Sequence, residues 1–243
     1  MIHWANCMEH IVFSDRGDLD NFGQIDISRH VFSDKRVHER HLMGILLRSE
    51  VLVTKNKFPI DLIHDDKPDF YFKSQESNQW VGVEVTRACN EAQKEIKYRL
   101  ESRGQAYCYS VNLFTPDMTK KKAKELVNTI SAGDEAQVRP LMGSEPERRW
   151  ATYIWQAMYK KKADFNKTDF KKFSRNILLV NVETPGMVAV RDFEVGLSCL
   201  NAELFDFWHE QPTFDSVFIL HHDLVIELDA TSVIIHQPLQ NVS

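Results

Sequence analysis

Apolar positions along the chain change period several times, and each change marks an element. Between residues 35 and 50, "KRVHERHLMGILLRSE" puts Leu42, Met43, Leu46 and Leu47 at helical spacing. Two short alternating runs follow, "PDFYF" and "WVGVEVTR", and the polar "KSQESNQ" between them predicts a β-hairpin. Helical patterns return at about 90–103, where Asn90 and Gln93 resemble a capping pair, and at 115–133, ended by Gly133. A long amphipathic helix is predicted at 144–165, with Pro146 suited to its first turn. "AYCYSVNLF" at 106–114 reads as a strand, "NILLVNV" at 176–182 as a strand buried on both faces, and 192–208 as a further helix. "SVFILHH" and "LVIELDA" supply two closing strands, with "HHD" at 221–223 as the hairpin tip. Residues 1–34 alternate only weakly and read as an N-terminal arm or lead-in. Helices alternating with strands predict an α/β fold, a mixed central sheet flanked by helices, in a single domain over 35–243.

Each run of the hairpin carries an acid, although acids are depleted in strands. A turn centred between Glu76 and Ser77 places Asp69 opposite Glu84, on the same face and about 5 Å apart at Cβ. Val81, Val83 and Val85 then share one face with Phe70 and Phe72, and Asp69, Tyr71, Gly82 and Glu84 take the other. Two opposed carboxylates repel unless a cation lies between them, and magnesium commonly uses one or two carboxylates plus substrate phosphate. The bland alternative is a solvated face on an edge hairpin.

Two more residues sit where their charge is costly. Glu39 projects into the apolar stripe of its helix, so it must be paired, neutral or metal-bound; an arginine partner is the structural alternative. His38 and His41 project on the polar side of that helix. On the long helix, Trp150, Ile154, Ala157 and Met158 define a buried face, and Lys161 continues it while Lys160 and Lys162 project elsewhere. Lys161 therefore points inward or snorkels out at the helix end.

Composition narrows the function classes. The chain has 243 residues, 43% hydrophobic and 27% charged, with a formal net charge of −5, so any basic surface must be local. Residues 159–175, "YKKKADFNKTDFKKFSR", supply one: Lys160, Lys161, Lys162, Lys167, Lys171, Lys172 and Arg175 stand against Asp164 and Asp169. Tyr159, Phe165, Phe170 and Phe173 interleave with that run and either stack on bases or pack beneath it. "KKKAK" at 120–124 is a second basic cluster. Cys7, Cys89, Cys108 and Cys199 are scattered, which suits a reducing compartment better than a disulfide framework or a zinc site. With neither a signal-peptide pattern nor a membrane-length apolar run, a cytoplasmic protein without membrane contact is expected. P-loop, dinucleotide-glycine and GxSxG patterns are absent from the sequence.

An acid on a helix, then Pro68-Asp69 at a strand start, then Glu84-Val85-Thr86 in the next strand resembles the PD-(D/E)XK nuclease superfamily. The resemblance spans roughly residues 35–182. It implies a restriction-endonuclease-like core and a Mg2+- or Mn2+-dependent endonuclease acting on DNA, less readily on RNA. Asp69, Glu84 and Glu39 would be the metal residues, and Asp69, Glu84 and Lys161 the catalytic ones. Thr86 departs from the family pattern, which has a lysine there. Some branches supply that lysine from a neighbouring helix, and "AMYKKKADF" looks like such a case, with Lys161 as the substitute and Lys94 and Thr86 as secondary candidates. Lys160, Lys162, Lys167, Lys171, Lys172 and Arg175 would contact nucleic acid, and a homodimer is compatible with this reading. A catalytically silent member of the same fold, binding nucleic acid or a protein, is the alternative that Thr86 keeps open.

Overall fold

The computed structural model describes residues 8–23, 35–49, 57–75, 77–102, 113–133, 141–182, 190, 192–210, 212–222 and 224–236. The chain divides into two compact units, each discontinuous in sequence. Three elements, a strand, a helix and a second strand, run from one unit's residues into the other's, so no break in composition marks the division.

The first unit contains residues 1–86, 160–181 and 210–243. Its elements are β1 (Glu9–Phe13), α1 (Arg16–Asn21), α2 (Lys35–Arg48), β2 (Ile60–His64), β3 (Phe70–Ser74) and β4 (Val81–Ala88). The end of a long helix follows, then β5 (Arg175–Val182), β6 (Ser216–His221), β7 (Leu224–Leu228) and β8 (Val233–His236). The eight strands form one mixed sheet in the order β1 to β8. β1–β2, β2–β3 and β3–β4 pair antiparallel, β5–β6 parallel, and β6–β7 and β7–β8 antiparallel.

Residues 9–21 form β1 and α1. Phe13 of β1 is buried and meets Phe22 edge-on at 5.1 Å, and Asp15 caps α1 by accepting from the Asp18 amide at 3.1 Å. The alternation of β1 is weak because its strand exposes His10 and Val12 at the sheet edge. β2 and β8 also lie beyond the strands expected from sequence. In β2, Ile60, Leu62 and His64 are buried, with half-buried Asp61 and Ile63 between them. β8 exposes three of its four residues, so it has no inward stripe to read.

The hairpin register follows from burial. Phe70 lies opposite Val83, and Phe72 opposite Val81. Phe70, Phe72, Val83 and Val85 join Leu42, Leu46 and Leu47 of α2 and Leu62 of β2 in one apolar core. Each such side chain contributes roughly 1.5–3 kcal/mol on burial. A one-residue slip would exchange them for Asp69, Tyr71 and Glu84, and that excludes it.

The second unit contains residues 87–159 and 182–209. It holds α3 (Glu91–Ser102), α4 (Lys120–Ser131), most of α5 (Glu145–Phe165) and α6 (Phe193–His209). Asn90 accepts from the Ala92 amide at 2.9 Å to start α3, and Thr119 caps α4. Ile96, Leu100, Phe114 and Val127 form its small buried cluster. Gly133, at φ +87°, follows α4 where a left-handed residue is needed. Of the strand expected at 106–114, residues 106–112 lie outside the described residues, as does the Gln93 side chain. No helix among the described residues is long and apolar enough to cross a membrane.

Candidate active site

The β3–β4 register carries Asp69, just before β3, to the position opposite Glu84. Both are buried, at 2% and 4% exposure. Each gives one oxygen to the neighbouring backbone: Asp69 Oδ2 accepts from the Val85 amide at 2.8 Å, and Glu84 Oε2 from the Asp69 amide at 3.3 Å. The other oxygens meet cations. Lys35 Nζ lies 3.6 Å from Asp69 Oδ1, and Lys161 donates to Glu84 Oε1. Both acids line a pocket of ≈ 160 Å³ with Lys35, Lys161, Lys67 and Lys167, so neither is on a solvated edge face.

Burial governs the acidities. It pushes Asp69 well above the usual carboxylate range, and the neighbouring charges of Glu84 and Glu39 add to the effect. Burial also raises Glu84, against the pull of Lys161. For Lys161, burial acts to lower the pKa, but the charge and hydrogen bond of Glu84, with Asp69 behind it, hold the amine above its ordinary value. Lys161 thus comes from α5 to the carboxylate pair as an ammonium group, with one-fifth of its side chain exposed.

Glu39 is buried, as the helical projection expects, but it does not line the pocket. Its Oε1 is 3.1 Å from Lys35 Nζ and its Oε2 is 3.3 Å from His64 Nε2. Lys35 thus lies between Glu39 and Asp69, and Glu39 meets Lys35 and His64 instead of lining the pocket. Burial alone would raise the Glu39 pKa; the hydrogen bond from His64 and the charge of Lys35 outweigh it and leave the pKa lowered. Lys35 itself is raised, since Asp69 and Glu39 outweigh its desolvation.

Sequence reasoning missed Lys35 and His64. Lys35 precedes Glu39 by one helical turn, a spacing that could have flagged it. His64 continues the buried Ile60–Leu62 alternation, stacks on Phe70 at 4.2 Å and was hidden because β2 went unread. His38 needs correction too. It is 3% exposed, because the buried arc of α2 includes the position four before Leu42.

The basic run divides. Lys160, Lys167, Lys171 and Lys172 are exposed. Lys167 pairs with Asp164 at 2.5 Å, and Lys67 with Asp169 at 2.5 Å. Lys171 lies over the Tyr71 and Phe173 rings, at 4.0 and 4.9 Å, and Lys172 over Phe165 at 4.8 Å. Lys162 is buried and faces Glu210 at 3.4 Å, so it drops out of any nucleic-acid surface. Arg175 is half-buried between Ser216 and Glu227. Of the interleaved aromatics, Phe165 and Phe170 are buried with Phe214, and Phe173 stacks on Tyr71 at 4.9 Å; they pack beneath the lysines. Thr86 is half-buried in β4, and the Lys94 side chain lies outside the described residues. Of the 221–223 segment, His221 ends β6 and His222 follows it at φ 51°, while Asp223 lies outside the described residues; burial, then His222, pushes the His221 pKa down to about 4.

Among the described residues, no group of three or more His, Cys, Asp and Glu side chains is arranged to hold a metal ion. The donor set is two carboxylates, each with one oxygen fixed by backbone and the other directed to a cation. That set fits magnesium or manganese completed by substrate phosphate and water. The arrangement can hold a cation beside a fixed ammonium group. Comparison of the chain with protein-family models, curated proteins and solved structures returned no match.

Proposed function

We propose that the chain is a divalent-metal-dependent nuclease that hydrolyses phosphodiester bonds of DNA, and less readily of RNA, on a restriction-endonuclease-like core. The observation that carries this reading is the buried Asp69–Glu84 pair with Lys161 on its free oxygen. Carboxylates this desolvated and this close are costly to keep without a cation. Asp69 Oδ1 and Glu84 Oε1 would hold Mg2+ or Mn2+, which supplies polarisation of a phosphoryl oxygen and a more acidic water. Val85 and Asp69 amides keep the two carboxylates oriented for it. Lys161, positively charged and largely desolvated, stabilises negative charge that develops on the reacting phosphate. Lys160, Lys167, Lys171 and Lys172 attract the backbone from the surface. The homodimer belongs to the same proposal, as a second copy presenting a second site.

Thr86 favours one other reading, binding without hydrolysis, because β4 lacks a lysine of its own beside Glu84. One assay separates the two. The full chain is incubated with plasmid DNA, and in parallel with RNA, in Mn2+ or EDTA, beside Asp69→Asn. Mn2+-dependent cleavage lost in Asp69→Asn supports the nuclease. Binding of either polymer without cleavage by the parent chain supports the silent alternative.

A further inference from the structure

Two lysines serve the carboxylate pair, and they are held very differently. Lys161 is one-fifth exposed and makes its contact from within α5. Lys35 is two-thirds exposed, at 67%, and only its ammonium group reaches inward, to acids whose side chains are 3% and 7% exposed. It is 3.1 Å from Glu39 and 3.6 Å from Asp69, so its anchor is Glu39 and its contact with Asp69 is the longer one. The oxygen it meets, Asp69 Oδ1, is the one left free by the Val85 amide. Lys35 therefore stands against the oxygen that a metal would need.

We propose that Lys35 is a resident counter-cation, anchored by Glu39, that occupies Asp69 Oδ1 until a divalent cation displaces it. This rests on the metal-site reading above and adds a role for two residues. Glu39 is a positioning residue for Lys35 and not a metal ligand. A solvated stem lets the Lys35 head leave at little cost, whereas Lys161 stays in place. The displaced head would remain at the pocket, whose rim holds Lys67 and Lys167 beside Asp66 and Asp164, and would offer a substrate phosphate a cation no longer held by Asp69. Metal loading and exposure of a phosphate-binding lysine become one event.

The test is calorimetric titration of the full chain with MnCl2 alone. Parent, Lys35→Ala, Asp69→Asn and Arg16→Ala are compared, after circular dichroism has shown that each is folded. Arg16 makes its ion pair with Asp20, outside the pocket, and controls for net charge. A site blocked by its own lysine binds more weakly by the fraction of time it is open. An exposed ion pair of about 1 kcal/mol makes that roughly a fivefold effect. The expected result is at least roughly fivefold tighter Mn2+ binding by Lys35→Ala, no change in Arg16→Ala, and loss of the site in Asp69→Asn. Equal affinity in parent and Lys35→Ala, with the site still lost in Asp69→Asn, overturns the exchange and leaves the nuclease reading standing. Absence of Mn2+ binding in parent and Lys35→Ala alike overturns both.

Discussion

Asp69 and Glu84 lock each other in place through the backbone: the Asp69 amide donates to Glu84, and Asp69 accepts from the amide that follows Glu84. Two buried acids are thereby fixed, each with one oxygen on backbone and the other turned to a lysine. Side-chain chemistry here depends on hairpin register, and register depends on the aromatic face behind it.

The raised acidities make stability depend on pH in a defined direction. Asp69 and Glu84 keep protons in the folded chain that an unfolded chain releases above the ordinary values of 3.8 and 4.5. Stability therefore falls as pH rises from those values through the raised ones. Glu39, lowered, acts oppositely: its contribution is present above 4.5 and lost on acidification. Asp69→Asn should flatten the fall and raise the melting temperature in EDTA near neutral pH by about 2–4 °C, the response of a chain this size to about 1 kcal/mol. Melting curves across pH in EDTA check this, and a steeper fall in the variant would contradict it.

Lys161→Ala should slow cleavage at least about a hundredfold, the scale of removing one preorganised electrostatic donor. Its Mn2+ affinity should hold or rise slightly, because a competing cation is gone. Thr86→Ala should change both little. Single-turnover cleavage and calorimetry separate these effects, and a Lys161→Ala chain cleaving at the parental rate would remove the assignment.

Gly82 faces Phe173, and a Cβ there would lie 2.7 Å from Phe173 Cδ2 and 3.2 Å from Pro68 Cγ. The Phe173 ring is stacked on Tyr71 and has Lys171 above it, so it yields only with its neighbours. Gly82→Ala should cost about 1–3 kcal/mol, as overpacking does. Chemical denaturation measures it; an unchanged midpoint would show that the Phe173 wall is soft.

Neutralising Lys167, Lys171 and Lys172 together should weaken nucleic-acid binding and flatten its salt dependence by about 0.9 in slope for each lost phosphate contact. Lys162→Ala should instead leave the slope alone and lower stability, since Lys162 is buried against Glu210. Binding isotherms at several salt concentrations distinguish the two.

The hairpin, α2 and α5 were legible because long apolar stripes or aromatic alternation fix their faces. Period put Glu39 on the buried stripe and left Lys161 either inward or snorkelling, and Asp69 opposite Glu84 needed in addition a turn placed between Glu76 and Ser77. β1, β2 and β8 were not legible: each is four or five residues long, and the edge strands β1 and β8 lack a clean inward stripe. Without β2, His64 had no face, and Glu39 had no partner to hold it away from the pocket. Lys35 escaped because it is exposed along its stem and acts only through its tip.

Asp69 Oδ1 and Glu84 Oε1 are proposed to share one divalent cation. Anomalous diffraction from crystals of the full chain soaked in MnCl2 tests it most directly. A manganese peak is expected at bonding distance from both oxygens, with Lys161 still at Glu84 and the Lys35 ammonium withdrawn from Asp69. A peak elsewhere, or none at this pair while Lys35 remains in contact with Asp69, would contradict it.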